Sequence, residues 1–540
     1  MKSVIAVMAT IIIAATGFPA TIYVPDNYPK IQDALAAAAT GDTIIVRSGR
    51  YVENINLLGK EVHLRSEDGP AATVIDGGDR DTVVRIDGGE GPACVLEGFT
   101  ITNGRNTDVG TQSQGDGGGI TIVYSSPTIS GNWILGNVSQ HDANGHSGGG
   151  LCSVGGGPTI VGNVFRGNYA AKGGGLRIHG GTVSVVEGNL FERNLAVDLI
   201  NAGSAGGGAM VEGACLVQDN LFLYNKTEWR GGGLEASASV NSPTIVDNVF
   251  IGNHGSEGGG LSVSGRQHSP ADEVLVAGNL IYANSVSDIP VNPGGSRGGG
   301  ICWIGKVHVV NTTIVNNTAI QDGGGIAASS GSTYGRVVNS IVWGNVPSQL
   351  WMPNSHVTVD HSDVEGGWAG TGNFDADPQF VDLAKGDLHI TWDSPCRNLG
   401  TNGAPGLPTL DFEGDPRIHD VTVDVGFDEF HYHLYKTGAV VPGSGLVIKI
   451  VGQPGKPALL AMGNGIQDPP QSTSHGDLWL TLPLAQSWQL GKIPGRGVRS
   501  FPATVPSSWV VGSQHPFQGL VGPWGGSDSN LTNLMLLTTE

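Results

Sequence analysis

Between Asp116 and Asn345 the chain repeats one unit eight times: Gly-Gly-Gly, a short apolar strand, then Phe/Ile-x-x-Asn or a close variant. The triplets begin at Gly117, Gly148, Gly173, Gly206, Gly231, Gly258, Gly298 and Gly323, and the closing residues are Asn137, Asn168, Asn194, Asn225, Asn253, Asn284, Asn317 and Asn345. A fixed unit repeated this often decides the architecture before any other argument, because a repeat that cannot bury its apolar face alone must stack on its neighbours. Successive closing Asn residues stand 31, 26, 31, 28, 31, 33 and 28 positions apart, lengths that suit three short strands and three turns. Helix-pair repeats are excluded because Gly at this density is costly in a helix. Within Leu176-Arg177-Ile178-His179 the apolar residues alternate instead, with Leu176 and Ile178 on one side and Arg177 and His179 on the other.

The pattern predicts an all-β chain, a right-handed parallel β-helix with an N-terminal helical cap, followed by a small antiparallel β-sandwich. Rungs about 4.8 Å apart align identical residues into columns, and Asn side chains can hydrogen-bond along such a column. Asn also tolerates the left-handed backbone of a sharp corner. A second Asn column is expected through Asn132, Asn163, Asn189, Asn220, Asn248 and Asn279, ending at Thr312 and Ser340. The Asn residues are therefore read as structural.

The ends of the coil are also legible. Residues 28–41 form a short amphipathic helix pattern with Pro29 near its start and Gly41 at its stop, suited to covering the open end of the first rung. Past Asn345 the repeat decays, with Val357–Val359 and Asp387–Ile390 expected as looser last rungs. Residues 360–430 form a closing segment. Residues 432–540 lack the triplets and carry Pro, Trp and short alternating strands such as 446–451, 478–482, 508–511, 517–521 and 531–537, which predicts a separate antiparallel domain. Residues 1–20 read as a secretory signal peptide, and no later segment is long and apolar enough to span a membrane. The five Cys make no disulfide framework: Cys152 and Cys302 share a column but lie five rungs, roughly 24 Å, apart.

The Gly-Gly-Gly-[Ile/Leu] units, with Phe165-x-x-Asn168, Phe191-x-x-Asn194, Phe222-x-x-Asn225 and Phe250-x-x-Asn253, resemble the paired motifs of chlamydial polymorphic outer-membrane proteins. That likeness implies a β-helical adhesin. More broadly, residues 21–430 resemble the right-handed parallel β-helix superfamily of pectate lyases, polygalacturonases and their non-catalytic relatives. The superfamily shares a coil but no common site. The segment around 362–382, 394–400 and 424–430 is similar to the terminal segment of secreted bacterial β-helix proteins, where it precedes surface-attachment modules. Residues 432–540 bear a looser likeness to C-terminal modules of planctomycete and similar bacterial exported proteins.

Net charge is −20. Residues 360–429 hold 15 Asp/Glu and three Lys/Arg, so 12 of those negative charges fall there. Nucleic acid and anionic membranes are therefore poor partners, and the chain is read as a monomer that binds no nucleic acid. Calcium is a candidate cofactor at Asp375, Asp377 and Asp382, or at Asp411, Glu413 and Asp415, where oxygen spacings suit a hard cation. The competing reading is that these Asp residues open turns.

Aligned on the triplets, Thr121, Cys152, Arg177, Met210, Glu235, Ser262, Cys302 and Ala327 form one outward column; His179, Glu212 and Ser237 belong to the next. Arg177, His179, Glu212 and Glu235 are the candidate catalytic residues, expected within about 10 Å of one another on adjacent rungs. Glu212 and Glu235 supply the carboxylate pair a glycosidase needs; Arg177 and His179 supply the cation and base a lyase needs. The alternative is a solvated face with weak ion pairs. The long insertions at 138–147, 195–205 and 285–297 leave the same edge of the coil and carry His141, Asp142, His146, Asp198, Asp288 and Arg297. Loops gathered on one side of a repeat array often form its binding face. On that edge Trp229, Arg230 and His254 are the candidate ligand-binding residues, Trp229 stacking on a sugar ring. Two functions remain open: a secreted or cell-surface glycan-binding, adhesive scaffold, or a polysaccharide lyase or glycoside hydrolase acting on acidic polysaccharide.

Overall fold

A computed structural model describes residues 18–106, 116–139, 147–197, 203–239, 241–266, 273–287, 296–328, 333–353, 356–418 and 421–430, together with strand segments between 434 and 538. Residues 1–17 of the expected signal peptide, the insertion residues His141, Asp142, His146, Asp198 and Asp288, and the expected strand at 508–511 lie outside the described residues. The chain divides into two compact units, Met1–Leu190 and Phe191–Glu540.

Both units carry long parallel sheets, and the fold is the expected right-handed parallel β-helix. In the first unit one sheet runs from Thr21–Val24 through Thr43–Val46, His63–Ser66, Val95–Glu97 and Thr128–Ser130 to Thr159–Val161. A second runs from Ile55–Asn56 through Val84–Ile86, Ile120–Val123 and Leu151–Val154 to Leu176–His179. This second sheet carries the strands that follow the triplets. The second unit repeats that arrangement from Ala209–Glu212 through Leu234–Ser237, Leu261–Ser264 and Ile301–Ile304 to Ile326–Ala328.

The cap forms as expected. Helix Ile31–Ala37 buries Ile31, Ala34 and Leu35. Its ends are satisfied by side chains from neighbouring strands: Ile31 and Gln32 donate their N–H groups to the Glu53 carboxylate, and Lys60 donates to the carbonyls of Leu35 and Ala36. A carboxylate at the N-terminus and an ammonium at the C-terminus both favour the helix dipole.

Inside the coil both Asn columns are hydrogen-bonded ladders. Asn225 donates its backbone N–H to Asn253 Oδ1 at 3.0 Å, and its Nδ2 to the same oxygen at 3.0 Å and to the Phe191 carbonyl at 2.9 Å. The pattern continues through Asn253, Asn284 and Asn317 to Asn345, where Gln349 Oε1 ends it. The second column links Asn132 to Asn163 and Asn189 in the first unit, and Asn220 to Asn248 and Asn279 in the second. It ends in hydroxyls, Thr312 to Ser340 to Ser362.

The ladder Asn residues do not themselves take the left-handed conformation. The residue before each one does: Gly136, Gly167, Arg193, Tyr224, Gly252, Ala283, Asn316 and Gly344 all have φ between 52° and 66°. The corner is turned one residue early, so that the Asn itself points inward. The third glycine of each triplet has a separate role. A Cβ on Gly233 would stand 2.6 Å from the Gly260 carbonyl oxygen, 2.9 Å from Phe250 Cδ1 and 3.2 Å from the Asn253 side chain. The triplet and the Phe-x-x-Asn motif are thus two sides of one contact. Phe191, Phe222 and Phe250 stack at 4.7 Å between centroids and 6° between planes, the spacing of the rungs themselves.

Two expectations at the end of the coil separate. His356–Asp360 does pair in parallel as a last rung. Asp387–Ile390 does not: it pairs antiparallel with Phe380–Asp382, because Gly386 in the left-handed region reverses the chain directly before it. Beyond residue 433 the strands are antiparallel: Leu434–Thr437, Gly445–Val451 and Val498–Thr504 form one sheet, and Gln486–Lys492, Pro457–Met462, Gln514–Val521 and Asn530–Thr538 another. All five cysteines are buried and free.

Replacing Asn225 by Leu strips the ladder in both directions and leaves the Phe191 carbonyl and the Asn194 amides without their partner. The expected loss, read from the urea midpoint at constant slope, is at least about 2 kcal/mol. An unchanged midpoint would contradict a stabilising ladder.

Candidate functional site

The outward column of the triplet sheet is covered. Arg177 is 2% exposed and Glu235 is 5% exposed, although both point away from the coil interior. The cover is the chain that leads into each triplet. The first triplet glycine turns it over the strand that follows: a Cβ on Gly173 would lie 2.8 Å from Arg177 Cβ, and one on Gly206 2.8 Å from Met210 Cβ. The residues just ahead of the triplets then pair in parallel, Ala205 with Arg230, Arg230 with Glu257, and Glu257 with Arg297. An outer row of charge therefore roofs the column Met210, Glu235, Ser262 and Cys302.

Under that roof Glu235 meets Arg230. Arg230 Nε donates to Glu257 Oε2 at 2.9 Å, and both charges act on the Glu235 carboxyl. Burial pushes that carboxyl up to about 7, against a hydrogen bond from Ser262 and the opposing charge of Arg230; Glu257 and Glu212 push it further up. Glu235 Oε2 has no hydrogen-bond partner. A carboxyl tuned to neutral pH is a candidate acid–base group, but a polysaccharide chain cannot reach one roofed by its own backbone. Glu212 lies at the half-buried end of the neighbouring strand. Arg177 and His179 belong to the first unit, and Glu212 and Glu235 to the second.

The three expected ligand-binding residues are placed differently. Trp229 is half-buried, with the Arg230 guanidinium 4.8 Å from its ring centroid and the Gly203 backbone against its six-membered ring. The ring thus packs within the roof rather than standing open for stacking. His254 is held between two hydroxyls, Nδ1 at 3.0 Å from Ser285 Oγ and Nε2 at 2.9 Å from Ser287 Oγ. Lys226, His254 and Ser285 pair in register along this edge.

Beside them stands a residue that the sequence reading missed. Tyr224 is 53% exposed and takes the left-handed corner before Asn225. Its ring lies over Gly252, where a Cβ would come within 2.6 Å of ring carbons, and Arg193 sits 5.6 Å from its centroid. The signal was a Tyr at a corner position that several other repeats fill with Gly.

In the two acidic triads read as calcium candidates, three carboxylates are engaged locally. Asp411 Oδ1 accepts the N–H groups of Glu413 and Asp415, and its Oδ2 accepts that of Glu429. Asp377 accepts the Gln379 N–H, and Asp382 pairs with Lys385 at 2.6 Å.

Fold and site together define a right-handed parallel β-helix with a roofed outer face. No protein-family model matches the chain, and no curated protein matches it. Among solved structures it is similar to a mutant PL6 family alginate lyase, with 14% identity and a TM-score of 0.35, over 78% of this chain and 60% of that one. Two structures of pectin methylesterase in complex with hexasaccharides match at 10% and 11% identity, each with a TM-score of 0.16, over 73% and 67% of this chain and 100% and 94% of theirs. The chain thus spans less than two thirds of the alginate lyase's length. No helix among the described residues is long and apolar enough to cross a membrane.

The Glu235 carboxyl fixes a pH dependence. Its folded pKa, about 7, lies above the ordinary 4.5, so the folded state binds the extra proton and stability falls as pH rises from about 4.5 through 7. Glu235→Gln removes this term. Relative to the parent, the variant is expected to gain stability between pH 5 and pH 8, as read from denaturant midpoints along that series. A constant difference across the range would contradict a buried carboxyl of raised pKa.

Proposed function

We propose that this chain is an extracytoplasmic glycan-binding scaffold, exported by the signal at residues 1–20, whose coil presents a polysaccharide or cell-surface glycan along the edge of the closing Asn residues. Residues 432–540 serve as its attachment module. The observation that carries this reading is the Tyr224 ring, backed by Gly252 on the next rung and exposed beside Lys226, His254, Ser285 and Ser287. A half-exposed ring held between Gly252 on one rung and the Arg193 guanidinium on the other, next to a row of hydrogen-bonding groups, offers a sugar an apolar edge with polar partners beside it. The roof over Glu235 supports binding over catalysis, and the net charge of −20 argues against nucleic acid as the ligand.

A second reading, a polysaccharide lyase or hydrolase, rests on the Glu235 carboxyl raised to about 7 with Glu212 beside it. It requires the Trp229–Arg230 segment to lift from the strand.

A glycan array and a depolymerisation screen on the mature protein separate the two. For the scaffold, Tyr224→Ala weakens glycan binding roughly three- to tenfold, while Glu212→Gln with Glu235→Gln leaves it within about twofold and no polysaccharide is cleaved. Cleavage abolished by the double substitution establishes the enzyme instead. Binding indifferent to Tyr224→Ala removes this edge as the site.

A further inference from the structure

The closing segment brings together three groups that are distant in sequence: His389, Glu413 and Asp428, whose ligand atoms all lie within 4.8 Å of one another. His389 Nε2 is 3.2 Å from Glu413 Oε1, close to the roughly 3.4 Å edge of a tetrahedron whose ligands stand about 2.1 Å from a metal. The other ring nitrogen, Nδ1, lies 2.7 Å from Asp387 Oδ1. A carboxylate on Nδ1 fixes the ring and its tautomer and directs Nε2 toward Glu413, the arrangement that orients metal-bound imidazoles.

Asp428 supplies the second, independent observation. It is 2% exposed, its Oδ2 accepts the Ile390 N–H at 3.3 Å, and its Oδ1 is buried with no hydrogen-bond partner. A buried carboxylate oxygen without a donor is costly unless a cation meets it. The surrounding shell is built to hold the three in place. Asp411 accepts the backbone N–H groups of Glu413 and Glu429 and so ties the 411–415 turn to the segment that carries Asp428. Phe412 and Phe427 pack against the His389 ring at 5.8 and 6.2 Å between centroids.

We propose that His389, Glu413 and Asp428 bind one divalent metal ion of the zinc class, with Asp387 as the positioning residue for His389. One imidazole nitrogen and two carboxylate oxygens suit Zn²⁺; Ca²⁺ calls for six to eight oxygens. The ion clips residues 387–390, 411–415 and 427–430 together and thereby locks the end of the coil.

The test uses the full mature chain, stripped with a chelator and titrated with Zn²⁺ alone by calorimetry, with Ca²⁺ in a parallel titration. One equivalent of Zn²⁺ is expected, together with a rise in melting temperature. Glu413→Gln, at an exposed position that tolerates substitution, is expected to weaken binding more than tenfold, and Asp387→Asn roughly ten- to 100-fold. Far-ultraviolet circular dichroism confirms that both variants fold. No Zn²⁺ uptake, uptake unchanged by Glu413→Gln, or one equivalent of Ca²⁺ in place of Zn²⁺ would each overturn the proposal.

Discussion

At Gly233 the backbone of one rung passes so close to its neighbours that a single added carbon would meet the Gly260 carbonyl, the Phe250 ring and the Asn253 side chain at once. This approach, repeated at Gly208, Gly260 and Gly300, is the constraint on which the rest of the coil depends. It lets the aromatic stack and the Asn ladder fill the same corner, so that buried backbone carbonyls such as Phe191 and Phe222 find amide donors. A buried amide without those partners is expensive; with them, each rung supplies the donors and acceptors of the next. The repeat is therefore a hydrogen-bonding template as much as an apolar one.

The same glycines shape the outer face. Because the first of each triplet from Gly173 onward is left-handed, the incoming chain doubles back over the strand it leads into. Arg177 and Glu235 are sealed beneath it. The corner edge is not covered in this way: Tyr224 and Lys226 are exposed there and His254 is half-buried. The coil thus fixes which positions are available to chemistry.

Much of the coil was legible because its signals are periodic. The Gly triplets, the Asn columns and the cap at Ile31–Ala37 each follow from spacing and from what a closed or open coil end requires. The outward burial of Glu235 was not legible, since alternation within a strand says which side a residue faces and not whether another segment covers that side. Tyr224 was hidden for a related reason. Its role depends on Gly252 in the following rung, a pairing that appears only once the register is set. The gathering of His389 with Glu413 and Asp428 depends on an antiparallel reversal at Gly386 that the expectation of one more rung obscured.

The coupling of triplet glycine to ladder and aromatic stack is tested most directly by Gly233→Ala, with Gly403→Ala as the control. Gly403 is exposed, and a Cβ there meets nothing nearer than 3.7 Å. Urea unfolding of the two variants is compared with that of the parent. The account predicts a loss of at least about 2 kcal/mol for Gly233→Ala, with a change within about 0.5 kcal/mol for Gly403→Ala. Equal midpoints for the two variants would contradict it.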